Sequence, residues 1–190
     1  MFAGHFALAA GVKSQEPAVP LWSVMVATQF LDVVFVPLYL TGVETIVPVG
    51  AGGYGGGIIH ANYTHSLLGA LVLSSLVLAV GAKLWGRRGG LVLGAVAFSH
   101  WLLDLLVHRA DLPLLPGNWG QLPTLGFSLW QYPVLTAGIE LAMIVVGTVM
   151  YGLSLRNVVP PRRPAAWLAT SLMGVFLLAS LACDWTGFLG

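Results

Sequence analysis

The sequence predicts an all-α fold: an integral membrane helical bundle of about five transmembrane helices plus a short N-terminal half-helix or interfacial helix. Three observations predict it. The 190 residues are 57% hydrophobic and only 8% charged, with a mean hydropathy of +0.88, whereas a soluble domain carries about 25% charged residues. Apolar runs close to the length that crosses a bilayer recur along the chain. Glycine, proline and basic residues collect between those runs. One bundle is the natural unit, so residues 1–190 are expected to form a single membrane domain.

Residues 1–12 (MFAGHFALAAGV) are apolar but too short to span. They fit a half-helix dipping inward or a helix lying on the membrane surface, and Pro17 and Pro20 separate them from the first span. Spans are expected at 21–40, 66–85, 91–108, 132–155 and 165–184. The tight Gly86-Arg-Arg-Gly-Gly90 link makes the second and third an antiparallel hairpin, and Thr64 or Ser66 can cap the second. Residues 156–164 (RNVVPPRRP) separate the fourth and fifth. Lys13, Lys83, Arg87, Arg88, Arg156, Arg162 and Arg163 then fall on one side, with Arg109 alone opposite. The positive-inside bias places the N-terminus in the cytoplasm and the C-terminus outside, in the inner membrane if the cell is Gram-negative. Most tryptophans lie near expected span ends, as an aromatic belt does; Trp101 lies within a span.

Composition also excludes. A net charge of +1 predicts no nucleic-acid partner, and the lone Cys183 excludes a disulfide framework or a thiolate zinc site. Gly50, Gly52 and Gly55 spell G-x-G-x-x-G, but no strand–helix unit surrounds them, so a dinucleotide site is not expected. A flexible external loop or lid is.

The chemistry-bearing residues sit where hydrocarbon should be. His100, Asp104 and His108 are spaced by four, which puts them on one stripe of a helix. Counting about 1.5 Å per residue, Asp32, His100, Asp104 and Glu140 lie roughly 13–20 Å deep, and His5 reaches roughly 12 Å if the N-terminus dips inward. Ionisable groups at that depth are costly and mark function. Imidazole and carboxylate are ligands for zinc, iron or manganese. Asp32, His65, His100 and Asp104 are the expected ligands of a first metal, zinc foremost, with His5 helping to hold a second and Asp104 bridging. His65 opens its span near the external surface, so it joins them only if the site lies in the outer half or if residues 58–65 fold into the bundle. His108, beside Arg109, is expected at a headgroup or in solvent; Glu44 and Asp184 are expected at the interface; His60 has no expected role.

Gly4-His5, Asp32, Thr64-His65-Ser66 and Ser99-His100-x-x-x-Asp104, followed by Leu112-Pro-Leu-Leu-Pro116, resemble the YdjM-like family over residues 4–116. Those are bacterial inner-membrane proteins regarded as metal-dependent hydrolases. Where that family tends to carry a D-x-D cluster, this chain has Leu31-Asp32-Val33. A weaker likeness is to the zinc-dependent phospholipase C and nuclease group, whose ligands follow the order His5, Asp32, His65, His100, Asp104; their later H-x-x-x-E element has only Thr136-x-x-x-Glu140 as a counterpart. Phosphoester hydrolysis is what that likeness implies.

The expected function is therefore a membrane-embedded metal-dependent hydrolase of a phosphoester or lipid substrate, with attack by metal-bound hydroxide and with Glu140 or His5 moving the proton. The alternatives are a proton-coupled transporter using the same groups as a relay and a non-enzymatic membrane subunit whose polar groups bond helices together.

Overall fold

The computed structural model describes residues 1–50, 53–158 and 163–187. Six helices carry the chain: α1 (Phe2–Gln15), α2 (Leu21–Thr28), α3 (Phe30–Leu40), α4 (Leu67–Val107), α5 (Pro133–Val158) and α6 (Arg163–Thr186). Between α3 and α4 stands a pair of strands absent from the all-α expectation, β1 (Thr45–Pro48) and β2 (Gly57–His60). They are antiparallel, with Thr45 opposite His60 and Pro48 opposite Gly57. Gly52 of the glycine-rich loop, and residues 159–162 of the turn expected at 156–164, lie outside the described residues.

Among the described residues three helices, α4, α5 and α6, are long and apolar enough to cross a membrane, or four if the bent α2–α3 pair is one span, rather than five. The difference has a physical reason. The expected spans 66–85 and 91–108 are two arms of α4, which leaves helical geometry only at Trp85 and Gly86. Gly86 takes φ 74° and ψ 172°, which only glycine adopts readily. The chain folds back there: a Cβ on Gly90 would sit 2.5–2.6 Å from the Ala82 nitrogen and the Leu78 carbonyl oxygen of the first arm. The expected span 21–40 is α2 and α3 bent by 52° at a break. Ser66 is the cap of α4, its hydroxyl accepting from the Gly69 N–H at 3.0 Å.

The polarity of the bundle is inverted relative to a soluble protein. Leu71, Val72, Leu76, Val145, Val149, Leu172 and Val175 are exposed, while His5, His65, His100, Asp104 and Glu140 are buried. Such helices are compatible with a membrane protein.

Helix α1 is the hub. At about 1.5 Å per residue its 14 residues extend about 21 Å. Ala3, Ala7 and Ala10 pack against Ile144 and Tyr151 of α5 and Met173 and Leu177 of α6, and Ala9 packs with Val24, Ala27, Leu93 and Val96 of α2 and α4. Buried on several sides, α1 is no surface-lying helix. Its small residues allow close approach: a Cβ on Gly147 of α5 would collide with the Ala7 carbonyl.

Helix contacts this tight predict a position-specific cost. Gly90→Val should destabilise the detergent-purified protein by about 1–3 kcal/mol through overpacking against backbone that cannot rotate away. Gly138→Ala, where an added Cβ meets nothing within 4 Å, should leave stability unchanged or raise it by up to about 1 kcal/mol. Equal effects in the two variants would contradict the hairpin contact.

Candidate metal centre

Four segments bring the donor groups together. His5 comes from α1, Asp32 from α3, His65 from the turn before α4, and His100 and Asp104 from the second arm of α4. Two overlapping sets of ligand atoms, His5–His100–Asp104 and Asp32–His65–His100, are close enough to hold a metal ion. All five expected metal ligands are thus in one place, including His65. Residues 57–60 enter the β pair, and the turn after it is bound to the bundle where the Trp101 indole N–H donates to the His65 carbonyl at 2.9 Å. The Leu67 and Leu68 N–H groups donate to the Pro113 and Leu114 carbonyls.

The spacing of the donor atoms is informative. His65 Nε2 lies 3.4 Å from Asp32 Oδ1, 3.5 Å from Asp104 Oδ2 and 3.3 Å from His100 Nε2; His100 Nε2 lies 3.6 Å from Asp32 Oδ1 and 3.1 Å from Asp104 Oδ2. Ligands about 2.0–2.1 Å from a tetrahedral zinc are about 3.3–3.4 Å apart, and these five separations are compatible with that spacing around His65 and His100. The other oxygen of Asp104 faces away from that centre, with Oδ1 3.5 Å from His5 Nε2. Asp104 therefore straddles two positions, and the His5 ring lies 4.0 Å from that of His100.

The imidazoles are oriented from behind. His100 Nδ1 donates to the Thr28 carbonyl at 2.7 Å, and His5 Nδ1 faces the Met1 carbonyl at 2.5 Å. A carbonyl accepts only, so the ring proton of His100 belongs on Nδ1 and its Nε2 lone pair points into the cluster. His65 is held by a longer chain: its Nδ1 is 2.8 Å from Thr64 Oγ1, whose hydroxyl donates to Glu44 Oε2 at 2.9 Å. Glu44 also accepts from the Tyr63 and Thr64 N–H groups at 2.8 and 2.9 Å. Backing of this kind fixes the tautomer and raises the basicity of a metal ligand. Two carboxylates this close in an apolar interior repel unless positive charge, on an imidazolium or on a bound cation, sits among them.

The remaining candidates lie around this cluster. Glu140 of α5 is fully buried but is not among the convergent donors; Oε1 accepts the Gly4 N–H at 3.3 Å and Oε2 accepts the Tyr54 hydroxyl. Burial and then the bond to Glu140 raise the Tyr54 hydroxyl above its ordinary pKa, so it stays a donor. Asp184 accepts the Ala3 N–H at 3.0 Å. His108 is buried rather than at a headgroup, with Nε2 4.0 Å from Asp104 Oδ2 and Nδ1 3.0 Å from Asp111. His60 is exposed in β2. Thr28, Glu44 and Thr64 are the supporting residues that sequence reasoning missed. The T-H-S triplet was the available signal for Thr64, but capping by Ser66 is the more familiar reading of it. Nothing local signals that the Thr28 carbonyl meets His100 across 72 residues.

Removing the support should weaken the site without removing a ligand. Thr64→Val is expected to lower divalent-metal affinity about 10–100-fold in chelator competition, with helical content retained. An unchanged affinity would mean that the Glu44–Thr64–His65 chain does not position the ligand. In comparison with protein-family models, curated proteins and solved structures, nothing matches this chain.

Proposed function

We propose that this protein is a membrane-embedded, metal-dependent hydrolase of a phosphoester or lipid substrate. The observation that carries the reading is the approach of His65 Nε2 and His100 Nε2 to each other and to Asp32 and Asp104 at 3.1–3.6 Å. Two aspartates and neutral imidazoles around one divalent ion give zero net charge, which makes the group tolerable in hydrocarbon. The donor set favours zinc, with iron or manganese as the other ions that nitrogen and oxygen ligands of this kind accept.

Catalytic metal sites keep an open position, whereas structural ones are closed. One feature supplies openness. Asp32 is the one ligand with a partly exposed side chain, at 28% against 6% or less for the others. On the other side of Asp104, Oδ1 faces His5 Nε2 at 3.5 Å, within the second donor set that also includes His100. Held by these residues, a divalent ion would supply Lewis acidity toward a water and a phosphoryl oxygen. His5, whose Nε2 faces Asp104, is placed to move a proton, and Glu140 sets its position through the Gly4 N–H.

The charge distribution supports a membrane orientation. Glu16 pairs with Arg88 at one end of the bundle, where the Lys13 Nζ also donates to the Pro17 and Val19 carbonyls. Arg109 lies at the other end, against Gly55. With the basic end in the cytoplasm, the loops between α3 and α4 and between α4 and α5 are external. The likeness of the motifs to YdjM-like proteins points to the same class of hydrolase and to a bacterial inner membrane.

Elemental analysis of detergent-purified protein should find a transition metal at one or two ions per chain. His100→Ala should lose it while circular dichroism stays helical. The metal-loaded protein should hydrolyse bis(p-nitrophenyl) phosphate, and Asp104→Asn should abolish that turnover. A stably folded protein that takes up no divalent metal would defeat the proposal. Metal-loaded protein that cleaves no phosphoester would leave a metal-binding membrane subunit.

A further inference from the structure

At the loop-bearing end of the bundle, near the metal centre, lies a pocket of about 410 Å³ with one cationic side chain in its wall. Its wall includes Tyr54, Arg109, Ser128, Trp130 and Gln131. We propose that this pocket is an anion subsite that takes the phosphate of a phosphoester substrate; the inference rests on the hydrolase reading above and specifies its substrate.

Arg109 is the central group. A guanidinium carries five N–H donors, and this one spends Nη2 on the Gly55 carbonyl at 2.7 Å. No carboxylate pairs with it among the described residues. Its remaining donors form the planar fork that matches phosphate. Trp130 adds a buried indole N–H that has no hydrogen-bond partner among the described residues, a group that costs free energy unless something accepts from it. Ser128 is held at φ 62°, a left-handed conformation unfavourable for serine, with its N–H donating to the His108 carbonyl at 2.7 Å. Among the described residues, no acid lines the pocket. Glu140 is occupied by the Tyr54 hydroxyl and the Gly4 N–H, and Asp184 by the Ala3 N–H.

His108 stands between the pocket and the metal centre. Val107 and Arg109, both in its wall, flank His108. The His108 ring lies 4.5 Å from that of Trp130, and its Nε2 lies 4.0 Å from Asp104 Oδ2. One imidazole therefore separates the Arg109 cation from the metal-binding carboxylate. Pro133, the first residue of α5, and Val107, the last of α4, both border the pocket, so it opens at the end of the apolar helices, the level at which lipid headgroups lie. Free phosphate esters and lipid headgroups share the chemistry that this pocket recognises.

Calorimetric titration of the metal-loaded protein with inorganic phosphate, and of the same protein in phosphatidylcholine nanodiscs with and without phosphatidate, tests the subsite. The wild type should bind the anion. Arg109→Ala should weaken binding at least tenfold with metal content unchanged, and Arg109→Lys, which keeps the charge and a donor for Gly55, should fall between. Binding of inorganic phosphate alone would assign a soluble ester, and a response to phosphatidate alone would assign a lipid headgroup; both support the subsite. Equal anion binding by wild type and Arg109→Ala, or no binding in either format, would overturn it. The failures stay distinguishable, because His100→Ala reports on the metal and Arg109→Ala on the anion.

Discussion

Two aspartates and three imidazoles meet inside a shell of leucine, valine and alanine, and the rest of the structure is arranged around the electrostatic problem this creates. Taking a carboxylate out of water costs several kcal/mol even after relaxation, and two near one another add repulsion. The chain answers with geometry. His65 and His100 turn their Nε2 atoms toward Asp32 and Asp104 at 3.1–3.6 Å, and the opposite ring nitrogens are anchored on Thr28 and on the Thr64–Glu44 pair. The arrangement is one that could hold a divalent cation.

Positioning the ligands requires each irregular feature of the fold. The bend between α2 and α3 allows the Thr28 carbonyl to meet His100 on one side of Gln29 while Asp32 reaches the cluster from the other. The β pair and the turn after it bring His65 inward and bury Glu44 behind it. Helix α1 is set in the interior by its small residues, and its first turn is clamped by acceptors from two different helices: Asp184 takes the Ala3 N–H and Glu140 the Gly4 N–H. Carboxylates at a helix N-terminus also oppose its positive dipole end.

The bundle is polar in layers. The basic end carries Lys13, Glu16 and Arg88, with one ion pair between Glu16 and Arg88. The middle holds the carboxylate–imidazole cluster. The other end holds Arg109, Tyr54 and Trp130 around the pocket that adjoins His108. Helix α4 runs through all three layers, since its turn at Gly86 lies at the basic end and His108 comes directly after its last residue. A single helical hairpin therefore sets the distance between cation, cluster and pocket.

Much of this was legible in the residues alone. Hydropathy separates the apolar helices, because lipid-compatible faces need long runs without charge, and the spacing of His100 and Asp104 puts both on one stripe whatever surrounds them. Depth arithmetic brought His5, Asp32 and Asp104 to one level of the bundle. What the residues could not settle was direction and closure. Whether 66–85 and 91–108 are separate helices or two arms of one depends on the backbone at Trp85 and Gly86. Whether His65 reaches the cluster depends on the β pair, whose pairing joins residues 15 apart at Thr45 and His60. Glu140 shared the depth of the ligands yet faces Gly4 and Tyr54. Periodicity and composition act along the chain and are fixed by it; which way a side chain points across a bundle is decided by helix rotation and packing against neighbours distant in sequence.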